Sequence, residues 1–190
     1  MAESKDNVVT YGLRGLVGKM LVFKRRGDRT FVSSRPSLDK NRIATAAQLA
    51  IQEKFKLAII YAKGAIIDPV LKADYELSAT GNQSAFNRAF MDAQAAPEFI
   101  GQATTNGYLG VVGDVVSAKV IDDFRVVEVK VVIEADNGDL IEEGNAILSA
   151  DQVKWNYTTS IANSQVTGTK IIFKAYDLPG NETVLETVIN

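Results

Sequence analysis

The chain of 190 residues contains no cysteine and no histidine, and these two absences exclude much enzyme chemistry. Without cysteine there are no disulfides, thiolate nucleophiles or iron–sulfur ligands, and no structural zinc site of the usual kind. Without histidine the chain lacks the commonest general base and transition-metal ligand, so Ser-His-Asp and Cys-His arrangements are excluded. No constellation of carboxylates or lysines indicates another catalytic centre. We therefore expect a protein that is not an enzyme and needs neither cofactor nor metal.

Long apolar runs are also missing. The best candidates, residues 57–61 and 111–120, are short or interrupted, whereas a membrane-spanning helix needs about 18 apolar residues in succession. The first seven residues are polar and lack the apolar core of a secretory signal. We expect no membrane span and synthesis in the cytoplasm, with a virion or an appendage as alternative destinations.

The residues that are present favour a folded protein with an uneven charge distribution. Hydrophobic residues make up 46% of the chain and charged residues 23%, which is enough apolar surface to bury a core. Residues 1–72 hold 14 Lys and Arg against 6 Asp and Glu, a net +8, whereas residues 73–190 hold 7 against 17, a net −10. This asymmetry favours either a nucleic-acid contact at the basic end or head-to-tail packing of like subunits.

The N-terminal part predicts a β-hairpin. Short runs of β-prone residues at 20–23 and 30–33 flank a polar segment that contains Gly27. A glycine in a polar segment between two such runs is a hairpin signal. Pro36 is expected to end the second strand, because proline cannot donate a hydrogen bond to a neighbouring strand.

Helical periodicity begins after residue 39. Thr45 and Gln48 fit a capping box at the start of a long helix, which Gly64 is expected to end. The helix should bury the face formed by its apolar residues at helical spacing, which are Ala47, Ile51, Phe55, Ala58 and Ala62. Asp68 and Pro69 predict the start of a second helix, and a turn at 81–84 precedes a third helix at 85–95.

The rest of the sequence is β-prone. About six strands with frequent turn signals, including a tight turn at 136–139, favour an immunoglobulin- or fibronectin-like β-sandwich with Trp155, Tyr157 and Phe173 in its core. We therefore predict the α+β class: a β-hairpin with a small helical bundle, followed by a sandwich. The predicted division places the first domain at 1–96, a linker at 97–107 and a sandwich that folds alone at 108–190.

Several segments share the pattern of a known family. They include the segment that contains Gly15 and Gly18 and leads into the hairpin, and the end of the chain from Gly168. They also include the dipeptides Ala47-Gln48 and Lys54-Phe55 in the predicted long helix. In these segments the sequence resembles an uncharacterised protein family common in Bacteroidetes, with agreement over residues 12–92 and weaker similarity at 100–165. That family has no established activity, so the resemblance implies only architecture: a basic hairpin with helices, then a β-rich domain.

The strongest candidate interaction site in the sequence is the basic hairpin at 19–42. Two-stranded ribbons can enter a nucleic-acid groove, where Lys and Arg neutralise phosphates. The other interpretation is that the hairpin docks on an acidic neighbouring subunit, with residues 122–143 of each copy supplying the negative surface. The candidate contact residues are Lys24, Arg25, Arg26, Arg29, Arg35, Lys40 and Arg42.

Taken together, these patterns predict a non-enzymatic subunit of a repetitive assembly, such as a phage particle, an appendage or an intracellular array. Its expected partners are further copies of the same chain, which would join through their oppositely charged halves. The alternative is a nucleic-acid-binding module that uses the basic hairpin.

Overall fold

The computed structural model of the protein describes residues 2–4, 8–10, 12–26, 29–37 and 43–190. These residues form three helices and twelve strands, and the strands make three antiparallel sheets of four strands each. The predicted α+β class is therefore confirmed. The chain divides into two compact units, Met1–Thr45 and Ala46–Asn190.

The N-terminal unit contains one antiparallel sheet with the strand order β1-β4-β3-β2. Strands β3 and β4 form the predicted hairpin, in which Leu21 lies opposite Ser34 and Arg26 opposite Arg29. Pro36 follows the last strand, outside the sheet, as expected of a residue without an N–H donor. The four strands are β1 (Ala2–Ser4), β2 (Gly15–Val17), β3 (Leu21–Arg26) and β4 (Arg29–Ser34).

The second unit begins with three helices whose starts follow the predicted local signals. They are α1 (Ala46–Ala65), α2 (Pro69–Ser78) and α3 (Ala85–Asp92). The Asp68 carboxylate accepts hydrogen bonds from the backbone N–H groups of Val70 and Leu71 at 2.8 and 3.3 Å, and Pro69 occupies the first turn of α2. The Ser84 hydroxyl caps α3 in the same way, accepting from the Asn87 N–H at 3.2 Å.

Two antiparallel sheets complete the second unit and share one hydrophobic core. Their strand orders are β5-β6-β10-β9 and β12-β11-β7-β8. Trp155 and Tyr157 from the first sheet and Phe173 from the second are buried together in this core, as predicted. The strands are β5 (Glu98–Phe99), β6 (Val115–Ile121), β7 (Val126–Glu134), β8 (Leu140–Asn145), β9 (Ile147–Leu148), β10 (Lys154–Thr158), β11 (Lys170–Asp177) and β12 (Glu182–Val188).

The division of the chain differs from the one that the sequence predicts. Residues 97–107 were expected to be a linker, but they contain β5, which pairs with β6. The helices pack against turns of the β region: the Tyr75 ring stacks on Phe124 with ring centres 4.3 Å apart, and Leu178 joins the same cluster. The division therefore falls between Thr45 and Ala46. Composition alone could not predict it, because short apolar helices can bury their faces against any neighbouring element.

Gly110 fixes the loop that leads into β6. Its φ is +77°, and the Asn163 backbone N–H donates to its carbonyl oxygen at 2.9 Å. A Cβ at this position would overlap the Asn163 carbonyl oxygen and the Val166 side chain. Gly113, three residues later, has a similar positive φ of +98° but nothing within 4 Å of the place where its Cβ would lie.

Gly110 and Gly113 form a matched pair of positions for measuring how much the close packing around Gly110 contributes to stability. We expect Gly113→Ala to lower the free energy of unfolding by about 1–2 kcal/mol, because L-residues are strained at positive φ. Gly110→Ala should lower it by about 1–3 kcal/mol more, because overpacking adds to the same backbone strain. Urea denaturation of both variants gives the comparison. Equal losses in the two variants would contradict the packing that we describe around Gly110.

Candidate interaction surfaces

The hairpin cations lie on both faces of the N-terminal sheet. Lys24 pairs with Phe31 and Arg25 pairs with Thr30. Because side chains alternate along a strand, Lys24 and Arg25 point to opposite faces. Arg29 pairs with Arg26 and so belongs to the same face as Lys24. The register therefore does not gather the cations of the hairpin on a single basic face.

The remaining predicted contact residues are only partly described. Arg35 follows β4, and its backbone N–H donates to the Met20 carbonyl oxygen at 2.7 Å. Only the backbone of Arg26 is described, and Lys40 and Arg42 lie outside the described residues. The structure therefore describes the side chains of four of the seven cations: Lys24, Arg25, Arg29 and Arg35.

A basic cavity lies on the N-terminal unit. It has a volume of about 630 Å³ and is lined by Gly12, Arg14, Phe23, Lys24 and Arg25. Arg14 is not among the contact residues predicted from the sequence. The signal for it is strand pairing: β2 is antiparallel to β3 with Gly15 opposite Phe23, which brings the preceding Arg14 next to Lys24. Phe23 itself is buried, as its alternation in the sequence indicates, so it does not offer a ring for base stacking.

Much of the acidic segment at 122–143 is engaged within its own unit. Asp122 accepts hydrogen bonds from the backbone N–H groups of Phe124 and Arg125 at 3.0 and 2.7 Å. Asp123 forms an ion pair with Arg88 at 2.8 Å. Glu142 is buried and accepts from the Tyr157 hydroxyl and the Ser160 N–H. Among the described residues, no group of three carboxylates is placed to hold a metal ion.

A buried polar chain joins the three helices. The Tyr61 and Tyr75 hydroxyl oxygens are 2.8 Å apart, and Tyr75 donates to an Asp92 carboxylate oxygen at 2.5 Å. These residues belong to α1, α2 and α3 respectively. Burial raises the pKa of Asp92 to about 6 and raises that of Tyr75 well above its usual range. Tyr75 and Asp92 are 0% and 1% exposed, so this pair is closed to a substrate and stabilises the helix cluster, whereas Tyr61 is only partly buried.

The raised pKa of Asp92 predicts a pH dependence of stability. Between about pH 4 and pH 6 the folded state holds this proton more tightly than the unfolded state, so stability should fall as the pH rises through that window. The Asp92→Asn side chain can still accept from Tyr75 but does not titrate. We therefore expect the decrease in the free energy of unfolding over this window to be about 2–3 kcal/mol smaller in the variant than in wild type. Urea denaturation from pH 4 to 7.5 measures it, and the same pH profile in both proteins would contradict the prediction.

Asp151 provides a control of the opposite sign. Hydrogen bonds from the backbone N–H groups of Lys154 and Val153 lower its pKa, so its contribution is present at neutral pH and is lost as the pH falls. Asp151→Asn should therefore destabilise the protein at neutral pH, and the difference from wild type should shrink in acid.

The first half of α1 is exposed, contrary to the prediction of an apolar face buried along its length. Within α1 only Ala58, Ala62 and Ala65 are buried, whereas Ile51 is 69% and Phe55 49% exposed. The reason is length. Helix α1 has 20 residues and spans about 30 Å, whereas α3, which packs against it, has 8 residues and spans about 12 Å. The short helix covers only part of the long one.

The comparisons with known proteins assign no family. No family model matches the chain, and no curated protein matches it. One solved structure with some similarity is a crystal structure described as an engineered protein, 17% identical, with a TM-score of 0.32. The similarity covers 53% of this chain and 22% of that one, and it is too slight to carry a conclusion. The resemblance to a Bacteroidetes family stays a prediction.

In the part of the chain that the structure describes, no helix is both long enough and apolar enough to cross a bilayer.

Proposed function

We propose that this protein is a structural subunit that assembles with further copies of itself. The observation that carries the proposal is the exposed apolar side of α1, where Leu49, Leu57 and Ile60 are 54%, 60% and 66% exposed. Large apolar side chains grouped on one element are unusual on monomers and mark interaction surfaces. A phage particle, an appendage or an intracellular array would use such a subunit.

Two further apolar groups support a repetitive assembly. Leu109, Val111 and Val112 are exposed in the loop before β6, and Val70 and Leu77 are exposed on α2. A subunit in a ring or filament contacts at least two neighbours, so it needs more than one interaction surface. Several separate apolar groups on one unit meet that requirement, whereas a simple two-fold dimer needs only one.

We also infer that the two sheets of the second unit form an immunoglobulin- or fibronectin-like sandwich. If β5 to β7 are lettered A, B and C, β8 is C′, and β9 to β12 are D to G, the sheets read A-B-E-D and G-F-C-C′. Constant-type immunoglobulin domains have A-B-E-D opposite C-F-G, and the additional C′ strand occurs in variable-type domains. Sandwiches of this kind often serve as spacers or adhesive modules, an argument from fold alone.

The proposal assigns no enzymatic role. This is supported by the structural contacts of the buried ionisable groups. Tyr75 and Asp92 are buried in the helix cluster, and Glu142 is buried and accepts a hydrogen bond from Tyr157. Each of these carboxylates has a structural partner within its own unit.

Sedimentation of the purified full chain tests the proposed assembly. We expect species larger than a monomer that persist from about 0.1 M to about 1 M salt, because apolar contacts are not screened by ions. Electron microscopy of the same sample should reveal rings, filaments or arrays. A strict monomer at every concentration and salt would overturn the proposal.

Nucleic-acid binding is the second candidate function, and the basic cavity is the observation that favours it. Arg14, Lys24 and Arg25 are among the residues that line this cavity, and Lys and Arg neutralise phosphates. If the cavity binds duplex DNA, affinity should fall with salt at a log–log slope of about −0.9 for each phosphate neutralised.

Substitution of four cations separates the two candidates. Changing Lys24, Arg25, Arg26 and Arg29 to Ser should flatten the salt slope if the hairpin binds phosphates. A control with the same change of net charge replaces Lys119, Lys130, Lys154 and Lys174 in the second unit. We expect negligible binding of duplex DNA and single-stranded RNA by all three proteins at physiological salt. Tight binding by wild type and the control, lost only in the hairpin variant, would reverse our ranking.

A further inference from the structure

One side of α1 carries a stripe of four residues with an apolar residue at each end and two opposite charges between them. Leu49, Glu53, Lys56 and Ile60 follow one another at intervals of four, three and four residues. At 3.6 residues per turn these positions fall within an arc of about 60°. The buried residues Ala58, Ala62 and Ala65 lie on the opposite side of the helix. We call the four outward residues the α1 stripe.

The α1 stripe is open to a partner. Its apolar ends, Leu49 and Ile60, are both more than half exposed, and the two charged side chains between them are exposed as well. Neither Glu53 nor Lys56 forms an ion pair with another described residue of the chain. The stripe is about 16 Å long, from the rise of 1.5 Å per residue.

We propose that α1 pairs in antiparallel orientation with α1 of a second copy, and this inference rests on the self-association proposed above. In one register Leu49 lies opposite Ile60 of the second copy and Glu53 lies opposite its Lys56. The two-fold axis passes between positions 54 and 55, so each of these contacts occurs twice. A two-fold interface of this kind must be self-complementary, and the order apolar, acidic, basic, apolar satisfies that condition, because its reverse places each charge opposite one of the other sign.

The charges select the orientation of the pair. In a parallel pair Glu53 would face Glu53 and Lys56 would face Lys56, whereas the antiparallel pair matches opposite charges and also opposes the two helix dipoles. The 4-3-4 spacing is that of a coiled-coil seam, along which two helices pack closely. Ala50 and Leu57 lie beside the stripe and would extend the apolar contact.

Charge reversal in the full chain tests this pairing. In a dimer of the Glu53→Lys variant, the new lysine of each copy lies opposite Lys56 of the other copy, so two Lys–Lys contacts form. The Lys56→Glu variant forms two Glu–Glu contacts in the same way. Each single variant should dimerise about tenfold more weakly than wild type, because two exposed ion pairs become two repulsions. An equimolar mixture of the two variants should recover the wild-type dimerisation constant, since every contact in the mixed pair is again complementary.

The double variant, Glu53→Lys with Lys56→Glu, should associate as wild type does. Because all four positions are exposed, circular dichroism and the thermal transition should not change. Sedimentation equilibrium gives the constants.

Cysteine cross-linking supplies a second measurement, since the natural chain has no cysteine. A mixture of Glu53→Cys and Lys56→Cys proteins should form disulfide-linked heterodimers in preference to either homodimer. The two proteins can be told apart by mass after one of them is isotopically labelled. Predominant homodimers would overturn the antiparallel register.

The outcomes separate this inference from the proposed function. Recovery in the mixture and in the double variant supports the α1 pairing. If wild type associates but the single variants associate equally well, the pairing is overturned while the assembly proposal stands. If wild type is a monomer under all conditions, both are overturned.

Discussion

The packing of Tyr75 against Phe124 is the contact on which the arrangement of the second unit depends. Phe124 lies in the turn between β6 and β7, two strands that supply much of the sheet core, so stacking on it attaches the helices to the sheets. The same tyrosine donates to Asp92, and Arg88 pairs with Asp123 beside Phe124. One aromatic contact and two ion pairs, Arg88–Asp123 and Arg125–Asp74, thus join α2 and α3 to the β region. This is why the helices belong with the sheets and not with the N-terminal hairpin.

That attachment also determines which part of α1 stays exposed. Helix α1 contacts α3 as early as Phe55, whose ring packs edge-on against Phe90, but its buried residues begin only at Ala58, because α3 is too short to cover the rest of it. Nothing in the local sequence of α1 shortens it to match: Ala, Leu, Gln, Glu and Lys are all good helix formers. The mismatch between a 20-residue helix and its 8-residue neighbour therefore produces an exposed apolar segment, and such a segment is costly in water unless a partner covers it.

Local features of the fold could be predicted from the sequence, whereas contacts between distant residues could not. The caps at Asp68 and Ser84 and the hairpin of β3 and β4 depend on a few neighbouring residues, and all are observed. The strand β5, the approach of Arg14 to Lys24 and the burial of Asp92 depend on partners far along the chain. Periodicity predicted an apolar face on α1, but it could not tell whether the element opposite is long enough to bury it. For the candidate surfaces the sequence identified the charges and not their partners.

The contacts of the acidic segment also change how the charge asymmetry should be interpreted. Asp122, Asp123 and Glu142 contribute to the net −10 of residues 73–190, yet each of them stabilises its own unit. The net charge includes these groups as if they were free on the surface. A carboxylate that accepts several internal hydrogen bonds, however, has few lone pairs available for contacts with a second subunit. Charges separated by more than about 8–10 Å are in any case screened at physiological ionic strength. The proposed association is therefore better explained by groups that meet at contact distance, where apolar side chains supply the free energy and a few opposite charges fix the orientation. Within the described residues, the exposed side of α1 combines both, since Leu49 and Ile60 flank Glu53 and Lys56 on a single helix.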